Sequence, residues 1–172
     1  MSENKIIMNL LAPPDTHHLK AAEGWLELGN HLEAEAELEN IAPALRVHPD
    51  VLSLRWQISA KSKKWETCVD LGVAIVTTDP TRPDGWIHRS FALHELKRTE
   101  EARELLGPAA GLFPDNWTIR YNLACYACQL GNLEEARKWL KDAVDLAGSN
   151  EVKLMARNDK DLEPLWAKIG EI

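Results

Sequence analysis

Between residues 123 and 143 apolar side chains recur at helical spacing, stop, and then recur again. Leu123, Ala124, Ala127 and Leu130 share one helical face, Gly131-Asn132 breaks the run, and Ala136, Trp139, Leu140 and Ala143 restart it. The pattern predicts two amphipathic helices joined by a tight turn. The same phrase recurs upstream: GNLEEARKWL (131–140) parallels KRTEEARELL (97–106) and, more loosely, GNHLEAEAEL (29–38) and KKWETCVDLG (63–72). Ala34, Cys68, Ala102 and Ala136 stand 34 residues apart, as do Ile41, Ile75, Ala109 and Ala143. Pro80 and Pro114 keep the same step, and Gly148 falls where the next would be. A fixed period of this size marks a stack of supersecondary units, none of which buries its apolar face alone.

Extending the pattern along the chain predicts helix pairs over 16–28 and 32–46, 50–60 and 65–77, 83–95 and 99–111, and 116–129 and 133–146. His48-Pro49, Asp79-Pro80 and Phe113-Pro114 punctuate the junctions, because the residue before proline is pushed out of the helical region. No stretch has the alternation of a strand.

The period and these residues resemble the tetratricopeptide repeat family. The likeness is strongest in the last unit (Leu123, Ala124, Gly131, Ala136, Leu140, Ala143) and good in the third (Trp86, Ser90, Leu93, Ala102, Leu106, Ala109, Pro114). In the first, Ala22, Trp25, Gly29, Ala34, Leu38 and Ile41 fit, with a second helix about a turn longer, reaching toward Pro49. The second departs most, with Arg55-Trp56, Lys63 and Gly72 at motif positions. The resemblance implies an all-α fold, a right-handed superhelical solenoid of about four helix hairpins. Its repeats run over 15–48, 49–82, 83–116 and 117–150, after an N-terminal segment, 1–14, that is flexible or partly ordered. It also implies that Trp25, Trp65 and Trp86 are buried between helices, while Trp56, Trp117 and Trp139 lie off the pattern. Residues 151–172 are expected to cap the open end of the array, with Val152, Leu154 and Met155 along the last repeat. A second helix then starts at Asp161, with Leu162, Leu165, Trp166 and Ile169 on one face. The alternative is that this segment folds back into the groove.

Composition narrows the function classes. The net charge of -7 and the lack of a basic stripe argue against nucleic-acid binding. No apolar run is long enough to be a signal segment or to span a membrane, and three cysteines fit a reducing compartment. These features lead us to expect a cytoplasmic protein. Cys125 and Cys128 form a C-x-x-C, but mid-helix, with no second pair to complete a zinc site. The six histidines show no metal-ligand spacing, and no phosphate loop or nucleophile motif is present. The expectation is a non-enzymatic chain with no cofactor and no metal.

In the family resembled, first helices line a concave groove that holds a protein segment. The corresponding positions here are Leu19, Glu23 and Leu26; Ser53, Gln57 and Ala60; Asp84, Ile87, Phe91 and His94; and Thr118, Tyr121, Asn122, Cys125 and Cys128. Ile87, Phe91 and Tyr121 supply an apolar patch. One branch of the family grips the C-terminal carboxylate of heat-shock chaperones with two Lys, two Asn and an Arg. Here those positions read Leu19, Glu23, Leu54, Asp84 and His88, so that clamp is missing. Residues 15–48 carry seven acids against two bases, an imbalance suited to steering a basic partner. Arg55 and Arg89, also 34 apart, could form a small anion ladder or pair with nearby acids. The leading expectation is an adaptor for a protein or peptide partner, with homodimerisation open. Alternatives are a secretion-type or assembly chaperone and, from a different class, a thiol-redox or metal protein using Cys125 and Cys128.

Overall fold

The computed structural model describes residues 10–148 and 150–171, and among these there is no strand. Most of the N-terminal segment singled out above lies outside the described residues. Ten α-helices follow in order: α1 (Asp15–Glu27), α2 (His31–Glu39), α3 (Pro49–Lys61), α4 (Trp65–Thr78), α5 (Pro83–Glu95), α6 (Thr99–Leu106), α7 (Ala109–Leu112), α8 (Trp117–Gln129), α9 (Leu133–Ala147) and α10 (Asn150–Asn158). Two 3-10 helices, Pro43–Leu45 and Lys160–Glu171, complete the described elements. The chain divides into two compact units, one ending at His88 and the other starting at Arg89, so that the division falls within α5.

The turn inside each helix pair repeats in atomic detail. Residues 29, 63, 97 and 131 all adopt positive φ, at 78°, 53°, 64° and 81°. At each one the preceding helix ends in the same pair of backbone bonds. Gly29 N–H donates to Leu26 O and Asn30 N–H to Trp25 O, and Lys63 and Lys64 donate likewise to Ala60 and Ser59. Lys97 and Arg98 do so to His94 and Leu93, and Gly131 and Asn132 to Cys128 and Ala127. This is the Schellman arrangement, which satisfies the last carbonyls of a helix and favours glycine at its left-handed residue. Two of the four turns hold lysine there instead. A left-handed residue with a Cβ costs about 1–2 kcal/mol, partly offset by the greater unfolded-state freedom of glycine. Lys63→Gly and Lys97→Gly should therefore each stabilise the chain by about 1 kcal/mol, read as a shift in the urea midpoint; a loss of stability at both would contradict the turn assignment.

The second half of each helix pair supplies the repeated core. Ala34, Cys68, Ala102 and Ala136 are all 0% exposed, and so are Ile41, Ile75, Ala109 and Ala143. In the first unit Ala22 and Leu26 of α1, Ala34 and Leu38 of α2, and Val51, Leu54 and Ile58 of α3 form one apolar cluster. In the second, α8 is the central element: it packs on α6, α7 and α9 and buries Ile119, Tyr121 and every residue from Leu123 to Cys128.

Three expectations need correction. The second helix of the first repeat does not run on toward Pro49 but stops at Glu39, because Pro43 forces Ala42 into extended backbone (φ -48°, ψ 132°) and a short 3-10 turn follows. The helix expected over 99–111 splits into α6 and α7 at Gly107-Pro108, where proline has no N–H to continue the ladder. Trp25 is 36% exposed, and Trp65 and Trp86 are half-buried, whereas Trp56, which the pattern left unassigned, is the buried indole. At the positions equivalent to Trp25, Leu93 and Ala127 are fully buried. The slot is sized for smaller side chains, and the surplus of the indole stays in solvent.

Candidate functional site

In the first unit, the expected groove residues fall into two groups. Ser53 is buried, and its hydroxyl donates to Asp84 Oδ2 at 2.7 Å. Arg82 donates to both oxygens of the same carboxylate, at 3.2 and 3.0 Å, and also pairs with Asp50. Burial alone would raise the Asp84 carboxyl. The hydrogen bonds from Ser53 and Arg82, with the guanidinium charge, outweigh it and hold that carboxyl below its ordinary range. Ser53 and Asp84 therefore tie α3 to the start of α5 and are not open donors or acceptors. Leu19 is half-buried against the core cluster, and Ile87 is half-buried.

The second group is open. Glu23, Leu26 and Glu27 of α1 and Leu54, Gln57 and Lys61 of α3 border a recess of about 440 Å³. Leu26 and Leu54, 8% and 4% exposed, show only their edges on its floor, while the four polar residues stand exposed around it. Three expected groove positions, Glu23, Leu26 and Gln57, are thus brought together; Glu27 and Lys61 join them. Glu27 was legible as the i+4 neighbour of Glu23 on one helical face. A second recess, of about 360 Å³, lies between α2, α3 and α4 and includes His31, Arg55 and Lys64. Arg55 is held there by Glu35 at 2.7 Å and by Glu39, so it pairs with acids and presents no free guanidinium face.

In the second unit, the expected groove face of α8 is covered by the chain's own C-terminal segment. Helix α10 packs on α9, and the 3-10 helix Lys160–Glu171 returns across α8 and α10. Between them Asp159 accepts from the Tyr121 hydroxyl at 2.9 Å and from Cys125 Sγ at 3.7 Å. His94 Nε2 lies 2.9 Å from Asp161 Oδ2, and Gln129 Nε2 donates to Asp161 O at 2.9 Å. Leu162, Leu165 and Ile169, at 0%, 2% and 0% exposure, anchor the 3-10 helix, and Trp166 Nε1 donates to Ala156 O and Asp159 O. Within α10, Val152 and Ala156 are buried, whereas Leu154 and Met155, which the pattern placed along the last repeat, are exposed. His94, Tyr121, Cys125 and Cys128 are each no more than 5% exposed; Thr118 and Asn122 are half-buried, and Phe91 keeps an exposed edge. Nothing local in the sequence marked Asp159 and Asp161 as the hook of this segment.

Lifting the segment would expose three large aliphatic side chains, each worth about 1.5–3 kcal/mol when buried, besides the Asp159 and Asp161 bonds. Against these contacts stands the conformational entropy the chain would regain on release. In the structure the segment is a packed part of the second unit. The thiols beneath it are suppressed: burial pushes Cys125 well above the ordinary thiol range, helped by the charges of Asp159 and Asp161, and pushes Cys128 up to about 11. Protonated, buried thiols are poor nucleophiles. Among the described residues no group of three or more His, Cys, Asp or Glu is placed to hold a metal ion, and no helix is long and apolar enough to cross a membrane.

Paired helices with a 34-residue period, a small side chain buried at the same slot of each pair and the same turn between them, define an all-α helical-repeat protein. Residues 76–157 match the tetratricopeptide repeat family. That stretch belongs to the family, and the chain as a whole has its solenoid fold. A tetratricopeptide repeat protein of Thermus thermophilus superposes with a TM-score of 0.71 at 20% identity, over 91% of this chain and 83% of that one. MamA from MSR-1 gives 0.64 at 22% identity, over 78% and 77%. The first tetratricopeptide domain of Spaghetti (RPAP3), bound to the HSP90 peptide SRMEEVD, gives 0.58 at 20% identity, over 72% and 90%. At these identities the likeness is one of fold. No curated protein matches the sequence.

Proposed function

We propose that the protein is a non-enzymatic interaction module that holds a segment of a partner protein on faces presented by the first helices of its repeats. Tetratricopeptide repeat proteins are generally interaction modules of this kind, and the Spaghetti domain, of the same fold, carries a peptide. The observation that carries the reading is the recess between α1 and α3, where Glu23, Leu26 and Gln57 border open space. The corresponding face of α8 is filled by the chain's own C-terminal segment, which favours the first unit as the place where a partner binds.

Selection of a random peptide display library against the full chain tests this. Gln57 is exposed, so Gln57→Trp fills the recess without disturbing the core. Enriched peptides should bind the unmodified protein and lose about tenfold or more in affinity, some 1.4 kcal/mol, against the variant. Peptides that bind both equally would move the site elsewhere.

A further inference from the structure

The acids of the first repeat sort themselves by partner. Glu35 and Glu39 hold Arg55, Glu39 also holds Arg46, and Glu37 lies 2.8 Å from His18 Nδ1. Asp15 accepts the Ala42 N–H at 2.7 Å, and Glu33 sits in the first turn of α2, where the helix dipole favours an anion. Glu23 and Glu27 remain. Among the described residues neither side chain makes a hydrogen bond or an ion pair, the two stand one turn apart on α1, and both border the same recess. Like charges at i and i+4 weaken a helix, and residues that work against their own fold concentrate where function requires them.

We infer that the recess between α1 and α3 receives a basic segment of a partner protein, seating a lysine or arginine side chain. This deepens the interaction-module reading and rests on it for the site. The chemistry of such a side chain matches the recess point by point. Its aliphatic stem covers the edges of Leu26 and Leu54, and its charged head reaches the two carboxylates above them. Lys61, across the recess on α3, repels a second base and confines the first to the α1 side. The peptide on the Spaghetti domain, SRMEEVD, is acidic toward its end; a segment of that kind would meet two unpaired carboxylates here. The selected sign of charge is therefore the reverse.

The test uses two short fluorescent peptides with one shared leucine pattern, the polar positions lysine in one and glutamate in the other. Polarisation is read against the full chain, the Glu23→Gln/Glu27→Gln variant, and a Glu33→Gln/Glu134→Gln control of equal charge. The lysine peptide should bind, weaken about fivefold in the first variant, weaken less than twofold in the control, and lose affinity as salt rises. Both substituted pairs are exposed, and relief of the like-charge pair should leave the melting temperature of the first variant unchanged or higher. Equal weakening in the two variants, or no binding of the lysine peptide, overturns the inference. Binding of the glutamate peptide, abolished by Gln57→Trp, overturns the charge assignment while leaving the interaction module standing; a library selection that enriches no binding peptide removes the module reading itself.

Discussion

Replacing Leu162 and Leu165 together with aspartate should open Cys125 and Cys128 to thiol reagents while Cys68 stays closed. In the unmodified chain all three are buried, at 5%, 3% and 0% exposure, and a maleimide should label none of them on the timescale of an exposed thiol. The substitutions put two charges where Leu162 and Leu165 lie 0% and 2% exposed, which is untenable, so the 3-10 helix leaves α8 and takes Asp159 and Asp161 with it. Loss of these contacts should destabilise the second unit by about 3 kcal/mol or more, on the scale of large-to-small changes in a packed core. Tyr121→Phe is the milder companion: it deletes one hydrogen bond to Asp159 and should cost about 1 kcal/mol. Mass spectrometry of labelled peptides separates the sites, and Cys68, in the first unit, serves as the internal reference. Labelling confined to Cys125 and Cys128 with helicity retained establishes the segment as the cover of α8. Simultaneous labelling of all three would mean global unfolding, and no labelling would show that α8 is buried by something else.

The sequence left this cover open as an alternative to an end cap, and the reason is physical. Helix pairs announce themselves through a 3.6-residue period and small residues at fixed slots, and Ala34, Cys68, Ala102 and Ala136 occupy one repeated slot that the fold buries completely. The turns were legible through Gly29 and Gly131, and through register alone at Lys63 and Lys97. A 3-10 segment anchored by Leu162, Leu165 and Ile169 gives an apolar pattern too, but that pattern does not say which side of the last hairpin it covers. The direction was decided by Asp159 and Asp161, which find Tyr121 and His94 at 38 and 67 residues' separation. Long-range polar pairing leaves no periodic trace. The same limit applies at the recess: Glu23, Leu26 and Gln57 could be placed on inner positions by the family's pattern, yet which of the seven acids stood unpaired depended on where Arg55, Arg46 and His18 came to rest.

Acidification from pH 6.5 to about pH 4 should cost the first unit about 3 kcal/mol through His88. His88 stacks on Trp56 with ring centroids 4.1 Å apart and planes 7° from parallel, and its Nδ1 is buried without a hydrogen-bond partner among the described residues. Burial pushes the imidazole down from 6.5 to about 4; the Arg82 charge adds to this, and the Asp84 carboxylate opposes it. In the unfolded chain His88 binds its proton near pH 6.5, and in the folded chain only near pH 4. Across that interval the unfolded state holds more protons, so stability is full above pH 6.5 and falls as pH drops toward 4. Asp84 contributes in a different window: its carboxyl is held below the ordinary 3.8, so its share is lost only under more acid conditions. Urea titrations followed by tryptophan fluorescence at pH 7, 5.5 and 4 should show the midpoint falling in the unmodified chain and a much flatter dependence in His88→Gln. The variant will be less stable at every pH because it loses the stack, but the discriminating quantity is the slope. Equal slopes in the two proteins would mean that His88 takes up its proton in the folded state as readily as in solution, and that the stack against Trp56 does not exclude water from the imidazole.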